Sequence, residues 1–215
     1  MARILCLANS RKHGNRCVAG LDQATGRLVR PVTLLRDGAI PPAMERLEGG
    51  DPQVLDLLDL PLGAAGPDYG FQPENRLLAG GPWARVGRAD PKTLLPFCEN
   101  TPTLLHNGDD RVPWTFLQGL PRPQWKSLQL VHVTGVRFSH RLTRQGLSQV
   151  RVRFCCRGVV YDVSVTDPAA EEAVLAQRPM ATECVLLVSL GEPFPEGAPD
   201  RHCYKLAAGV IAMPP

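Results

Sequence analysis

Residues 148–168 read SQVRVRFCCRGVVYDVSVTDP, and within them apolar and polar side chains alternate twice with the period of two that a half-buried strand requires. The two runs, 149–155 and 159–166, are joined by a link so short that only a tight turn fits, with Gly158 placed to accept a positive φ. A chain carrying this hairpin must bury one of its faces, so a β layer is fixed before anything else is known. Asp167-Pro168 then predicts a helix start. An aspartate accepts the free N–H groups of a first turn, proline suits the first helical position, and AAEEAVLAQ continues with strong helix formers and early acids. Strands are expected at 127–138 before the hairpin, with a polar loop at 140–146, and at 184–190 and 203–212 after the helix. The loop GEPFPEGAPDRH separates the last two.

Three strands, a helix and two strands is the order of an OB-fold, a small five-stranded barrel. The first half opens in a similar way. Residues 3–8 form an apolar strand, 16–21 and 27–32 a hairpin around DQATG, and 54–62 a further strand. Asp90-Pro91 caps a short helical turn that stops at Leu95, whereas PDYGFQPENR, HNGDDRVP and PRPQW have the composition of loops. The expectation is a mainly β protein with short helices, built as two tandem OB-like β-barrels: an N-terminal domain over 1–118 and a C-terminal domain over 119–215.

No apolar run reaches the roughly 18 residues of a membrane-spanning helix. MARILCLANSRK places its apolar run before its basic residues, the reverse of a secretory signal, which points to a cytoplasmic protein without a membrane partner. The seven cysteines are odd in number and scattered, with no CxxC, so buried reduced thiols are expected rather than disulfides or a metal centre. A zinc site would have to be assembled from distant residues such as Cys184, His202 and Cys203. The net charge of +3 hides a segregation: residues 119–160 carry eight basic and no acidic side chains, and residues 1–36 carry seven basic against Asp22 alone. Acidic stretches follow both. Either a positive surface for an anionic ligand results, or the two kinds of segment pair and cancel.

Two basic groupings are candidates for ligand binding. Between the first two strands, Asn9, Ser10, Arg11, Lys12 and Arg16 crowd amide, hydroxyl and basic groups into one expected loop, able to hold an anion with backbone N–H groups and arginine forks. The spacing of a Walker A loop is absent. Asp110 with Arg111 is expected to form an ion pair or to position a ligand. The second grouping comprises Arg137, Arg141, Arg144, Arg151, Arg153 and Arg157, with Arg151 and Arg153 on one face of a strand, where a phosphodiester backbone would run in an OB-fold. Cross-strand pairing of those arginines with Asp162 and Ser164 explains the same pattern structurally. Tyr161, Tyr204, Trp114 and Trp125 are the few stacking platforms, Tyr161 being expected in the core. No catalytic set, metal site or cofactor motif is recognised. Ser189 with His202 lacks a nucleophile-elbow motif.

Several stretches together resemble the dual OB-containing family of prokaryotic and phage proteins: ILCLANSRKHGNRCVAG, QPEN at 72–75, DDRV at 109–112, RVRF, YDVSVTDP, SLGEPF and CYKLAAGVI. The resemblance spans nearly the whole chain and implies two tandem OB barrels. It also implies recognition of nucleic acid or a nucleotide-derived ligand, often in genome-conflict settings. One departure is Cys155-Cys156, where an aromatic residue would be expected nearby. The leading expectation is a non-catalytic module that binds single-stranded nucleic acid or a nucleotide. The alternatives are an enzyme or enzyme subunit acting on nucleotides through Asp109, Asp110 and Asp167, and an adaptor that binds a protein partner.

Overall fold

The computed structural model describes the chain except for Glu45, Arg46, Glu48, Gly49, Arg144 and Pro215. Fourteen strands are assigned within it. The first half holds β1 (Ala2–Lys12), β2 (Asn15–Asp22), β3 (Leu28–Val32), β4 (Asp56–Leu60), β5 (Leu62–Ala65), β6 (Asn75–Leu78) and β7 (Ala84–Arg88). The second half holds β8 (Arg111–Pro113), the helix α1 (Trp114–Gly119), β9 (Leu128–Thr134), β10 (Arg137–Leu142), β11 (Ser148–Cys156), β12 (Val159–Val165), the helix α2 (Pro168–Leu175), β13 (Glu183–Phe194) and β14 (His202–Ala212).

Each half curls into a ring of strand pairings. In the first half the order is β5-β6-β3-β2-β1-β4-β7. β4 and β5 are one strand bent at Pro61, so the sequence of pairings returns to its start, with β7 added outside against β4. In the second half the order is β10-β11-β12-β14-β13-β9, and here β9 and β10 are the bent strand, joined through Gly135-Val136. β8 adds to β14. Both rings run first, second, third, fifth, fourth and back to first, with the third and fifth strands parallel and their other neighbours antiparallel.

The alternation in 148–166 does what it predicted: Val150, Val152, Phe154, Tyr161, Val163 and Val165 point into the second core. The hairpin closes on Arg157-Gly158, both at positive φ, the backbone of a two-residue turn. Asp167 caps α2, its Oδ1 accepting from the N–H groups of Ala169 (3.0 Å) and Ala170 (3.2 Å). Its Oδ2 accepts from the Val210 N–H at 2.9 Å, which ties the helix to β14.

Two expectations change. Residues 9–16 are not an open loop: β1 and β2 stay paired out to Lys12 opposite Asn15, around the two-residue turn His13-Gly14 with φ of 47° and 80°. Alternate backbone N–H groups there are therefore spent in the ladder, and those of Arg11 and Arg16 donate instead to the carbonyls of Thr166 (3.4 Å) and Ile40 (3.0 Å). PDYGFQPENR and HNGDDRVP, read as loops, each lead into a short strand, β6 and β8, because their polar residues satisfy buried groups of the other elements.

The two rings share a core. Leu5, Leu7, Ala19 and Leu21 of the first pack against Leu130, Val185, Leu187 and Ile211 of the second. Contact is so close where β1 crosses β14 that a Cβ added to Gly209 would lie 1.8 Å from the Leu7 carbonyl oxygen. Leu104, Leu105, Val112 and Leu117, from the connecting segment, lie in the second ring's core.

Candidate functional site

Between the two barrels lies a cavity of about 1000 Å³. One wall comes from the tip of the β1-β2 hairpin and from β3, the other from β13, β14 and the start of α1. At its inner wall stands Arg30 of β3, 3% exposed. Its Nη1 donates to Asn75 Oδ1 and to Ser127 Oγ, both at 3.0 Å, and its Nη2 to Ser189 Oγ at 3.1 Å. Every acceptor is neutral. Among the described residues no carboxylate lies within ion-pair distance of this guanidinium. A buried cation without a carboxylate is costly.

The QPEN stretch builds this arrangement. Asn75 donates to Gln72 Oε1 (3.0 Å) and to the Pro67 carbonyl (2.7 Å), which turns its own oxygen towards Arg30. Glu74 reaches across to the second barrel, where it accepts from Ser127 N and Ser127 Oγ, each at 2.8 Å, and from Leu128 N at 3.0 Å. Gln72 itself is buried and lines the cavity.

Aromatic side chains form much of the remaining wall: Tyr69, Phe71, Trp114, Phe194 and Tyr204. Trp114 meets Phe71 edge-on at 5.7 Å, and the Arg201 guanidinium lies 5.4 Å from the Trp114 ring centre. The Trp114 backbone N–H donates to the Arg201 carbonyl at 2.8 Å, which holds the two together, while Arg201 Nε is buried and has no hydrogen-bond partner. Burial, followed by the charges of Asp37 and Glu192, pushes the Tyr69 hydroxyl above its ordinary pKa, so it stays a neutral donor, bonded to the Leu35 carbonyl.

Ion pairs and a histidine–carboxylate hydrogen bond between the barrels line the rim. Lys12 Nζ lies 3.0 Å from Glu192 Oε1, His13 Nε2 lies 3.1 Å from Glu192 Oε2, and Arg36 pairs with Glu196 at 2.5 Å. Arg11 reaches Glu171 of α2 at 3.5 Å. Here the basic start of the chain and its acidic end do pair, as one of the two charge readings expected. His13, Asp37 and Glu192 bring possible ligand atoms within 4.8 Å of one another, but the Lys12 ammonium already supplies a positive charge to Glu192 and donates to the Asp37 carbonyl at 2.5 Å. Five basic side chains against three acidic ones still line the cavity as a whole.

Of the residues expected to bind a ligand, Ser10, Arg11 and Lys12 line this cavity. Asn9 and Arg16 do not: Asn9 is buried and donates to the Pro52 carbonyl at 3.1 Å, and Arg16 pairs with Asp51 at 3.2 Å. Arg111 donates to the Tyr204 hydroxyl at 3.2 Å, just behind the lining. Asp110 contributes its carbonyl to Lys205 N. Lys205 is buried beside that loop, its ammonium donating at 2.7 Å to Asn107 O, Asn107 Oδ1 and Asp109 O, with the Tyr161 ring 5.0 Å away. Burial outweighs the carboxylates of Asp109 and Asp110 and brings its pKa down to about 8.

The arginine grouping divides. Arg151 is buried and engaged, its Nε 2.8 Å from Asp162 Oδ1, its Nη1 2.9 Å from Ser164 Oγ and its Nη2 on the Asp162 carbonyl. The registers Arg153↔Asp162 and Arg151↔Ser164 bring these groups together across the strands. Arg141 donates twice to Gln149. Arg137, Arg153 and Arg157 are exposed and have no such partner among the described residues, and Arg144 lies outside them. Asp109, Asp110 and Asp167 do not gather into a metal-holding set among the described residues, and both oxygens of Asp167 are spent on backbone N–H groups. Burial pushes Cys184 up to about 11 and Cys203 up to about 12, so both remain protonated thiols at neutral pH. Cys17, Cys98, Cys155, Cys156, Cys184 and Cys203 carry free thiols.

Arg30, Gln72 and Arg201 escaped the sequence reading. The signal for Arg30 was an arginine set among apolar residues in LVRPV, where a strand buried on both sides has no use for a charge.

Two curled sheets with one order of strand pairing, packed side by side around a shared cavity, define a tandem OB-fold protein, a fold whose members bind oligonucleotides and oligosaccharides. The chain belongs to the dual OB-containing domain family, whose model matches residues 2–210. No curated protein and no solved structure matches it. Among the described residues no helix is long and apolar enough to cross a membrane.

Proposed function

We propose that the protein is a binding module that takes up a nucleotide, or the end of a single-stranded nucleic acid, in the cavity between its barrels. The observation that carries this reading is the joint presence there of aromatic faces and basic groups not neutralised in place, with Trp114 and Arg201 stacked at the wall and Arg30 behind them. Aromatic rings accept any base, and guanidinium groups accept phosphate. Isothermal titration with 5′-nucleotides and with short single-stranded DNA and RNA tests it. Binding by the intact protein, weakened about tenfold or more in Trp114→Ala, is the expected result for a lost stacking contact. Absence of heat with every ligand contradicts it.

A second reading rests on one register pair. Arg137 stands directly opposite Arg153 on β10 and β11, both exposed, and like charges so placed destabilise a sheet unless an anion joins them. A single strand passing over this outer face would supply that anion. Removing both arginines should lower the slope of log affinity against log salt by about 1.4 for two phosphates of a single strand. An unchanged slope excludes it.

A further inference from the structure

The inner end of the cavity has a more specific chemistry, and its meaning depends on the cleft being the nucleotide site. We infer that Arg30 is a subsite for a terminal phosphate, so that the cleft recognises a nucleoside monophosphate or a phosphorylated strand end rather than the interior of a strand.

A guanidinium has five N–H donors. The protein uses three of those on Arg30: two on Nη1, for Asn75 and Ser127, and one on Nη2, for Ser189. Nε makes no hydrogen bond to a described residue, yet it is not among the polar atoms sealed from solvent without a partner. The side chain lines the cavity, so this nitrogen opens towards it. Nε and one of the two Nη2 hydrogens are left over, on the two nitrogens of the fork's side edge, and they offer donors to phosphate oxygens.

Neighbouring groups are arranged to leave that edge free. The carboxylate of Glu74, the acid closest in the hydrogen-bond network, is linked to the Arg30 guanidinium only through the Ser127 hydroxyl and spends its oxygens on Ser127 and Leu128. Asn75 is pinned by Gln72 and Pro67 and cannot swing away. Arg30 is therefore preorganised, with its rotamer fixed before any ligand arrives and its charge unneutralised. At 3% exposure it is reached only by a group that projects from the ligand. A phosphodiester within a strand lies between two sugars; a terminal phosphate projects.

The test is isothermal titration of the full chain with the four 5′-ribonucleoside monophosphates, the four matching nucleosides and inorganic phosphate, for wild type, Arg30→Met and Arg30→Lys. A bidentate charge-assisted contact predicts monophosphates that bind roughly thirtyfold or more tightly than their nucleosides, a gap that closes in Arg30→Met and narrows in Arg30→Lys, which keeps the charge but not the fork. Inorganic phosphate should compete with the monophosphates and not with the nucleosides. The wild-type comparison needs no variant. If Arg30→Met loses its circular dichroism signal, Arg30→Lys decides together with the wild-type comparison of monophosphates against nucleosides. Equal affinity for monophosphates and nucleosides overturns the phosphate subsite and leaves the cleft reading standing. A gap that survives in a folded Arg30→Met also overturns it and moves the phosphate to Arg11 and Lys12. No binding by any nucleoside or nucleotide overturns the subsite together with the cleft reading on which it rests.

Discussion

Arg30 and Arg151 are both arginines on strands, both at least nine-tenths buried, and each makes three hydrogen bonds, yet they occupy opposite chemical situations. Arg151, on the outer face of β10 to β12, has its charge met by Asp162 and its remaining donors by a serine and a carbonyl. Arg30, at the wall between the barrels, meets only neutral oxygens. Burial alone therefore does not separate a structural arginine from a functional one. Two quantities separate them together: whether the protein supplies the counter-charge, and whether the side chain lines the cavity, as Arg30 does.

The cleft exists only because the barrels dock, whereas the outer face belongs to one barrel. Gly209→Ala should break the first and spare the second. Its Cβ would collide with the Leu7 carbonyl, and neither backbone can yield without parting β1 from β14. Chemical denaturation should show a loss of about 3 kcal/mol or more, with nucleotide binding lost as well. A well-folded variant that still binds would mean that the docking surface is softer than its geometry implies.

Lys205 is an intermediate case, a buried cation held by neutral carbonyls as Arg30 is, but without an opening into the cavity. With no ligand to meet, its charge is a pure penalty. Its folded pKa of about 8 lies below its ordinary 10.5, so between those values the unfolded chain binds more protons than the folded one. Stability must then rise with pH across that window, by an amount on the order of 3 kcal/mol if the whole shift is expressed. Denaturation midpoints measured from pH 7 to 11 should show this rise in wild type and not in Lys205→Met. Parallel curves would mean that the three carbonyls fully compensate the charge.

Matched substitutions sharpen the comparison itself. Arg30→Met should leave stability within about 1 kcal/mol, because the lost hydrogen bonds are offset by the removal of a buried unpaired charge, while monophosphate affinity falls by at least about thirtyfold. Arg151→Met should do the reverse, costing about 2–3 kcal/mol for the charge-assisted hydrogen bonds of a buried arginine and leaving affinity unchanged. Equal effects from both would erase the distinction.

The sequence carried the second barrel better than the first, for a physical reason. Its hairpin alternates, its helix has an Asp-Pro start, and its strands are long enough to show a period. In the first barrel β5 and β6 have four residues each, and β5 is β4 continued past Pro61, which reads as an ending. A four-residue strand held mostly by the polar network of Gln72 and Asn75 shows no hydrophobic period. The site was legible in parts for the same reason. Ser10, Arg11 and Lys12 were found because basic residues cluster in sequence and Trp114 because aromatic residues are few, whereas Arg30, Gln72 and Arg201 come from three further segments and meet Trp114 only when the barrels dock. The arginine pattern at 151 and 153 was visible at once, but which of the two the protein keeps for itself depended on the register with Asp162 and Ser164.

Hydrogen exchange of the full chain, with and without a saturating 5′-nucleoside monophosphate, bears most directly on where the ligand sits. Slowed exchange at residues 28–33, 69–72, 112–115 and 189–194, on both sides of the cavity and not at 137–157, is the pattern expected of a cleft closed around its ligand. Slowed exchange confined to 137–157 would place the ligand on the outer arginine face and contradict the cleft.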